Sequence, residues 1–358
     1  MPREAPSLGL QPVLVLGDST TFTDPWQAVI SPAGIIAVSD IRDLRIRLFD
    51  STGQFRAELG GRGEGPGELL ALGAMGWSEN HFWVADPLLA RVTDFGDQGL
   101  VKRVAAYQAP AAQKPGGRWT VPSGIIADSL DVLELSQSGS SLNAPTRPYL
   151  LIASKGRALD TVWLPPQPPQ VFVAKFPNAM QLNGLQPFVS SPWVVSSTGA
   201  GIVIVDVTAP NHIRLTRLRT PRDTTYSVLV SMVSLPLTKS VVDRWLEQST
   251  SSFPPDFRPP GLADSIRRQL YLPPLLPPVS TVRVGRDGTA WLRGSDSLGD
   301  SVGWHRVAPD GHGSGSLQLP TSTNVIWASG DSLVLSQDAD QGPMVGLFLV
   351  RSVPRHAN

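Results

Sequence analysis

The sequence predicts an all-β protein, a ring of six four-stranded sheets forming a β-propeller, and three observations carry that expectation. One stretch near the N-terminus recurs without a gap, turn residues punctuate the chain throughout, and the runs between them alternate apolar and polar positions. Residues 30–53, ISPAGIIAVSDIRDLRIRLFDSTG, lie over residues 76–99, GWSENHFWVADPLLARVTDFGDQG, at a constant shift of 46 residues. Val38 falls on Val84, Asp40 on Asp86, Arg45 on Arg91, Phe49 on Phe95 and Gly53 on Gly99. A four-stranded unit of that period cannot bury both faces of its sheet alone, so it needs a neighbour on each side, and a closed ring supplies both.

Composition supports the class. Glycine and proline contribute 33 and 34 of the 358 residues, 41% of the chain is hydrophobic, and Val, Ile, Trp and Phe are frequent. Thirty basic residues balance thirty acidic ones, so the electrostatic footprint of a nucleic-acid binder is missing. With no cysteine, disulfide frameworks, thiolate metal sites and cysteine nucleophiles are excluded. The first residues lack a basic stretch followed by an apolar core, so no secretory signal is visible, and no apolar run approaches the length of a membrane span.

In the first unit, strands are expected over 26–31, 35–39, 45–49 and 54–59, with the Asp50-Ser51-Thr52-Gly53 turn supplying a residue able to take positive φ. The second unit follows at 81–85, 91–95 and 100–105. A third, less regular, covers 119–126, 132–135, 149–153 and 160–164, and a proline-rich link leads to the fourth at 188–195, 201–207, 212–218 and 226–233. Helical spacing then appears, in a small insertion over about 238–274 between the fourth and fifth units. Ser240 to Asp243 reads as a capping box before Val241, Val242, Trp245 and Leu246, and Leu262, Ile266 and Leu270 form a second apolar stripe. Residues 280–294 open the fifth unit, with Asp287-Gly288 as a turn, and WHRVAPDG and SLQLP complete it. The last unit, ending at Val350, lacks a fourth strand, which the N-terminal PVLVLG can supply to close the ring. The chain is read as a single domain, 1–358, because the insertion and the long loops of the third unit absorb the length that would otherwise suggest seven or eight units.

With these residues laid out, the chain resembles six-bladed propellers of the NHL-repeat, TolB-like type. The resemblance is carried by VSDIRDLRIRLFDSTGQF followed by GRGEGPGEL, by Asp287-Gly288-Thr289-Ala290-Trp291, and by WHRVAPDG and GDSLVLSQD. It implies a central channel and an extracytoplasmic location, but little chemistry, since relatives include scaffolds, binding domains, lactonases and lyases. The metal-dependent members gather histidines or acids around the axis. Here His81, His212, His305, His312 and His356 fall at different phases of the repeat.

Individual motifs favour scaffolding. Asp40 with Arg45 and Asp86 with Arg91 repeat across a turn, where a carboxylate can hold the backbone. GGRGEGPGEL is glycine-dense but lacks the Lys-Ser/Thr ending and following helix of a phosphate loop. No G-x-S-x-G elbow and no D-x-D-x-D calcium loop is present. Trp26, Trp77, Trp119, Trp193, Trp291 and Trp327 recur near inner strands, where they are expected to pack between blades. The reading is a non-catalytic monomer binding a protein partner or small ligand at one end of the channel, through Arg62, Glu64 and Glu68 on the glycine-rich loop and Arg118 and Arg286 on or beside inner strands. No catalytic residue, cofactor or metal is expected. The alternative is a lactonase-like or lyase-like enzyme holding a divalent metal in the channel.

Overall fold

The computed structural model describes residues 7–352 except 19, 79–80, 97–98, 107–123, 127–129, 139–145, 155–156, 167, 169–170, 177–180, 190–192, 197–200, 210, 221, 252, 254–257, 296–298 and 340–341. Strand β1 (Leu8–Leu16) is set aside for the far end of the chain. The first sheet runs β2 (Pro25–Ile30), β3 (Ile36–Asp40), β4 (Arg45–Phe49), β5 (Phe55–Gly60), and the second β6 (Met75–Ser78), β7 (His81–Asp86), β8 (Arg91–Phe95), β9 (Val101–Ala106). The third holds β10 (Gly124–Ile126), β11 (Leu130–Ser138), β12 (Thr146–Ser154) and β13 (Arg157–Trp163). A separate hairpin, β14 (Val171–Lys175) with β15 (Gln181–Leu185), precedes the fourth sheet, β16 (Trp193–Ser196), β17 (Gly201–Ala209), β18 (His212–Thr220), β19 (Asp223–Ser231). After helices α1 (Lys239–Ser251) and α2 (Leu262–Arg267) comes the fifth sheet, β20 (Val279–Val284), β21 (Ala290–Gly294), β22 (Ser301–Val307), β23 (Gly313–Pro320). The chain ends with β24 (Thr323–Ser329), β25 (Ser332–Gln337) and β26 (Met344–Ser352), and β1 pairs antiparallel with β26 as the fourth strand of that sheet.

The architecture is an all-β propeller. Five sheets are built from consecutive strands and the last is completed by the N-terminal strand. The innermost strands β2, β6, β10, β16, β20 and β24 touch one another in cyclic order. Strands alternate in direction, so the links from an outer strand to the next inner strand share one face of the ring with the β3–β4 type of turn. Inner hairpin turns, such as β2–β3 and β20–β21, lie on the opposite face. These two faces are called the link face and the turn face below.

Packing between sheets explains why both faces of a strand are apolar. Ile46 and Leu48 of β4 pack with Trp77, Phe82, Val84 and Phe95 of the next sheet, whereas Phe49 turns the other way, toward Ile326, Val334 and Val345 of the last. Each such side chain contributes about 2 kcal/mol through removal from water. Gly53 takes φ 85° as its turn requires, beside Asp50, whose carboxylate accepts from the Thr52 backbone N–H at 2.9 Å and hydroxyl at 2.6 Å.

Two expectations need correction. The proline-rich link between the third and fourth sheets is not merely a link, because it contains β14 and β15. Phe172, Ala174 and Phe176 from that segment, with Phe188, pack against Val241, Val242 and Leu246 of α1, Leu262 and Ile266 of α2, and Leu276. The helical insertion and the hairpin therefore make one small core on the link face. The expected capping box is also displaced: Thr238 caps α1 by accepting from the Val241 N–H at 3.4 Å, while Asp243 pairs with Lys239 at 2.5 Å and with Arg267 of α2. No described helix is long and apolar enough to cross a membrane.

Candidate functional site

The repeated aspartates are buried tie-points. Asp40 ends β3 fully buried and accepts from the backbone N–H groups of Thr23 at 2.6 Å, Asp24 at 3.2 Å and Asp43 at 3.3 Å. Asp86 ends β7 in the same way, accepting from Leu70 at 2.7 Å, Ala71 at 3.4 Å, Leu88 at 2.9 Å and Leu89 at 3.0 Å. One carboxylate thus joins the incoming link to the β3–β4 or β7–β8 turn, and Leu44 and Ala90 adopt matching positive φ values of 55° and 47° inside those turns. The arginines behave differently from the expected pairs. Arg45 pairs with Glu58, and Asp40 is met instead by Arg47 at 3.4 Å.

Arg91 holds the glycine-rich loop. Its guanidinium donates to the carbonyl oxygens of Glu64 at 2.9 Å, Gly65 at 2.8 Å and Glu68 at 2.6 Å. The Glu68 carboxylate accepts from the Gly65 N–H at 2.8 Å. Gly67, at φ 84°, runs so close to β9 that a Cβ would come within 2.7 Å of Val101. Glu68 is therefore engaged within the loop, although it is exposed on the link face, as Arg62 and Glu64 are. Arg286 is exposed as well, but in the β20–β21 turn on the opposite face. The structure thus brings Arg62, Glu64 and Glu68 together and sets Arg286 apart from them. Arg118 and Trp119 lie outside the described residues.

Beside Arg286, Asp287 is a turn residue. Its carboxylate accepts from the Thr289 N–H at 3.1 Å, the Thr289 hydroxyl at 2.6 Å and the Ser329 hydroxyl at 3.0 Å. Burial opposes its ionisation, yet these hydrogen bonds outweigh burial and hold the carboxyl below its ordinary value.

Trp26 departs from the expected inter-blade packing. Trp77 and Trp291 are buried between sheets, but Trp26 is 54% exposed at the link-face end of the innermost strand β2. The cause is a bulge, since the β2–β3 register slips between Pro25 and Gln27 and releases Trp26 from the alternation. Ser280 sits in the equivalent slip of β20 and is also exposed. An exposed indole on a rigid inner strand offers a flat apolar face with one N–H donor. Among the described residues no three His, Cys, Asp or Glu side chains gather as a metal site. His81 is on β7, His212 on β18, His305 on β22 and His312 in the β22–β23 turn; His356 lies outside the described residues. Burial lowers the pKa of His305.

Fold and site define the class as a β-propeller with a capped link face. No protein-family model matches the chain, and no curated protein matches its sequence. Among solved structures it is similar to a candidate exported protein from Bacteroides fragilis, with 11% identity, 97% of this chain and 96% of that one covered, and a TM-score of 0.52. It is similar also to a member of the DUF4221 family from Bacteroides vulgatus, with 11% identity, 98% and 100% coverage and a TM-score of 0.51. A virginiamycin B lyase from Staphylococcus aureus aligns over 96% of this chain and 100% of its own, with 10% identity and a TM-score of 0.46. At these identities the likeness to the two Bacteroides proteins is one of fold.

Proposed function

We propose that the protein is a non-catalytic recognition propeller, of the NHL-repeat type, that takes a protein partner or small ligand at the link-face end of its channel. The observation that carries this reading is the exposed Trp26 on the innermost strand. Large aromatic side chains presented on rigid backbone bind at small entropic cost, and they dominate recognition surfaces for that reason. Arg62 and Glu64 share that face on a loop held by Arg91, so polar contacts there need little further ordering. The description of the Bacteroides fragilis protein supports an extracytoplasmic location, and the protein is taken as a monomer.

The test is a saturation-transfer NMR screen of the full chain against small aromatic and carbohydrate compounds. Compounds that bind the mouth lose about tenfold in affinity or more with Trp26→Ala, equivalent to about 1.4 kcal/mol, while the Tm stays within a degree or so of wild type because the indole is exposed. Equal binding to both proteins would remove the mouth from consideration. The rival reading is a lactonase-like or lyase-like enzyme with a divalent metal in the channel, and a stoichiometric, tightly bound ion in the purified protein would favour it over a non-catalytic module.

A further inference from the structure

A second feature of the channel wall is independent of Trp26 and lies toward the opposite end of the inner strands. Arg283 is the penultimate residue of β20, paired across the sheet with Trp291. The same place in the first sheet is Val29, opposite Ala37, and in the second Gly76, opposite Trp83. Where those sheets use an apolar side chain or none, the fifth inserts a cation.

The surroundings of that cation are neutral. Its Nε donates to the Val325 carbonyl oxygen of β24 at 3.0 Å, across the junction with the next sheet, and its Nη1 donates to the Val282 oxygen at 3.4 Å. Among the described residues no carboxylate lies within ion-pair distance of it, and its Nη2 donates to none of them. Burial lowers its pKa from the ordinary guanidinium value, although an arginine stays charged. Across the sheet, on the other side of Trp291, Arg306 shows the contrast. That guanidinium lies 6.0 Å from the Trp291 ring centroid and is paired with Asp331. Two arginines flank one tryptophan, and one of them has its counter-ion.

A half-buried cation whose partners are all neutral gives up part of its hydration without gaining a counter-ion, a loss that an incoming anion offsets. The groups already engaged are Nε and one proton of Nη1, so the Nη1–Nη2 edge is the one still free. Its two parallel N–H groups match the two oxygens of a carboxylate, and one unit of charge matches one carboxylate better than a phosphate dianion. We propose that the channel wall at the junction of the fifth and sixth sheets is an anion subsite, where Arg283 grips a ligand carboxylate through its Nη1–Nη2 edge.

Sodium acetate is the probe, exchanged for sodium chloride at constant ionic strength while Tm is followed. Wild type is expected to show a saturable rise of about 2 to 3 °C, and Arg283→Met none. An equal rise in both proteins, or no rise in wild type, overturns the proposal. Because a substitution in the wall can impair folding, phenylglyoxal labelling of wild type with peptide mapping provides a second readout. Acetate is expected to slow modification of Arg283 severalfold and leave exposed Arg286 unchanged; an unchanged rate at Arg283 overturns the proposal.

Discussion

Asp86 illustrates how one side chain organises a junction between sheets. It satisfies two N–H groups of the link and two of the turn with a single buried carboxylate, so a smaller or neutral replacement leaves several donors without an acceptor. Asp86→Ala is expected to cost about 3 kcal/mol in urea unfolding, and a loss below about 0.5 kcal/mol would show that water replaces the carboxylate. The recurrence of this residue at Asp40 was legible as scaffolding, because repetition at one phase of a repeat is what architecture requires. The arginine partners were not legible. Arg45 and Arg91 align perfectly in sequence yet reach Glu58 in one sheet and three loop carbonyls in the next, since the guanidinium goes to whatever acceptors the neighbouring link presents. Trp26 escaped for a related reason: a bulge shifts the pleat by one residue, and alternation read from sequence assumes an unbroken pleat.

At the level of elements, the strands of the four-stranded sheets follow from alternation and turn residues, except β6 (Met75–Ser78), for which the sequence predicts no strand, and hairpin β14–β15 does not follow either. Its strands are short, prolines surround them, and their apolar residues have no repeat phase to reveal them. They become strands because Phe172 and Ala174 meet the apolar stripes of α1 and α2, a contact between segments more than fifty residues apart. The cap should then respond as one unit. Leu246→Ala, which empties a buried position on α1, is expected to destabilise it by about 2 to 4 kcal/mol. Hydrogen exchange should show faster amides in β14–β15 together with α1, and unchanged protection in β3 and β4. Acceleration spread evenly over every sheet would instead make cap and ring a single cooperative unit.

For the whole molecule, closure of the ring is the controlling event. β1 pairs with β26 from Leu8 opposite Ser352 to Leu16 opposite Val345, burying Leu8 and Leu16 and covering what would be an open apolar edge. Pro12 is tolerated because β1 is itself an outermost strand, with a bulge between Pro12 and Leu14. Removing residues 1–16 is expected to lower Tm by several degrees and to produce concentration-dependent association in light scattering, as exposed β26 edges pair between molecules. A truncated protein that remains monomeric with an unchanged Tm would show that the ring closes without this strand.

The ring, its closing strand and the repeated turns were all readable from the chain, because they depend on local alternation, turn chemistry and a repeat that must bury both faces. Tertiary structure alone decided which charged groups are already spoken for and which remain open. Glu68 is absorbed by its own loop, Arg286 is carried to the opposite face from Arg62, and Arg283 enters the wall without a carboxylate beside it among the described residues. Those outcomes depend on acceptors brought from distant segments, and the distance between two side chains in a closed ring is set by how the sheets meet.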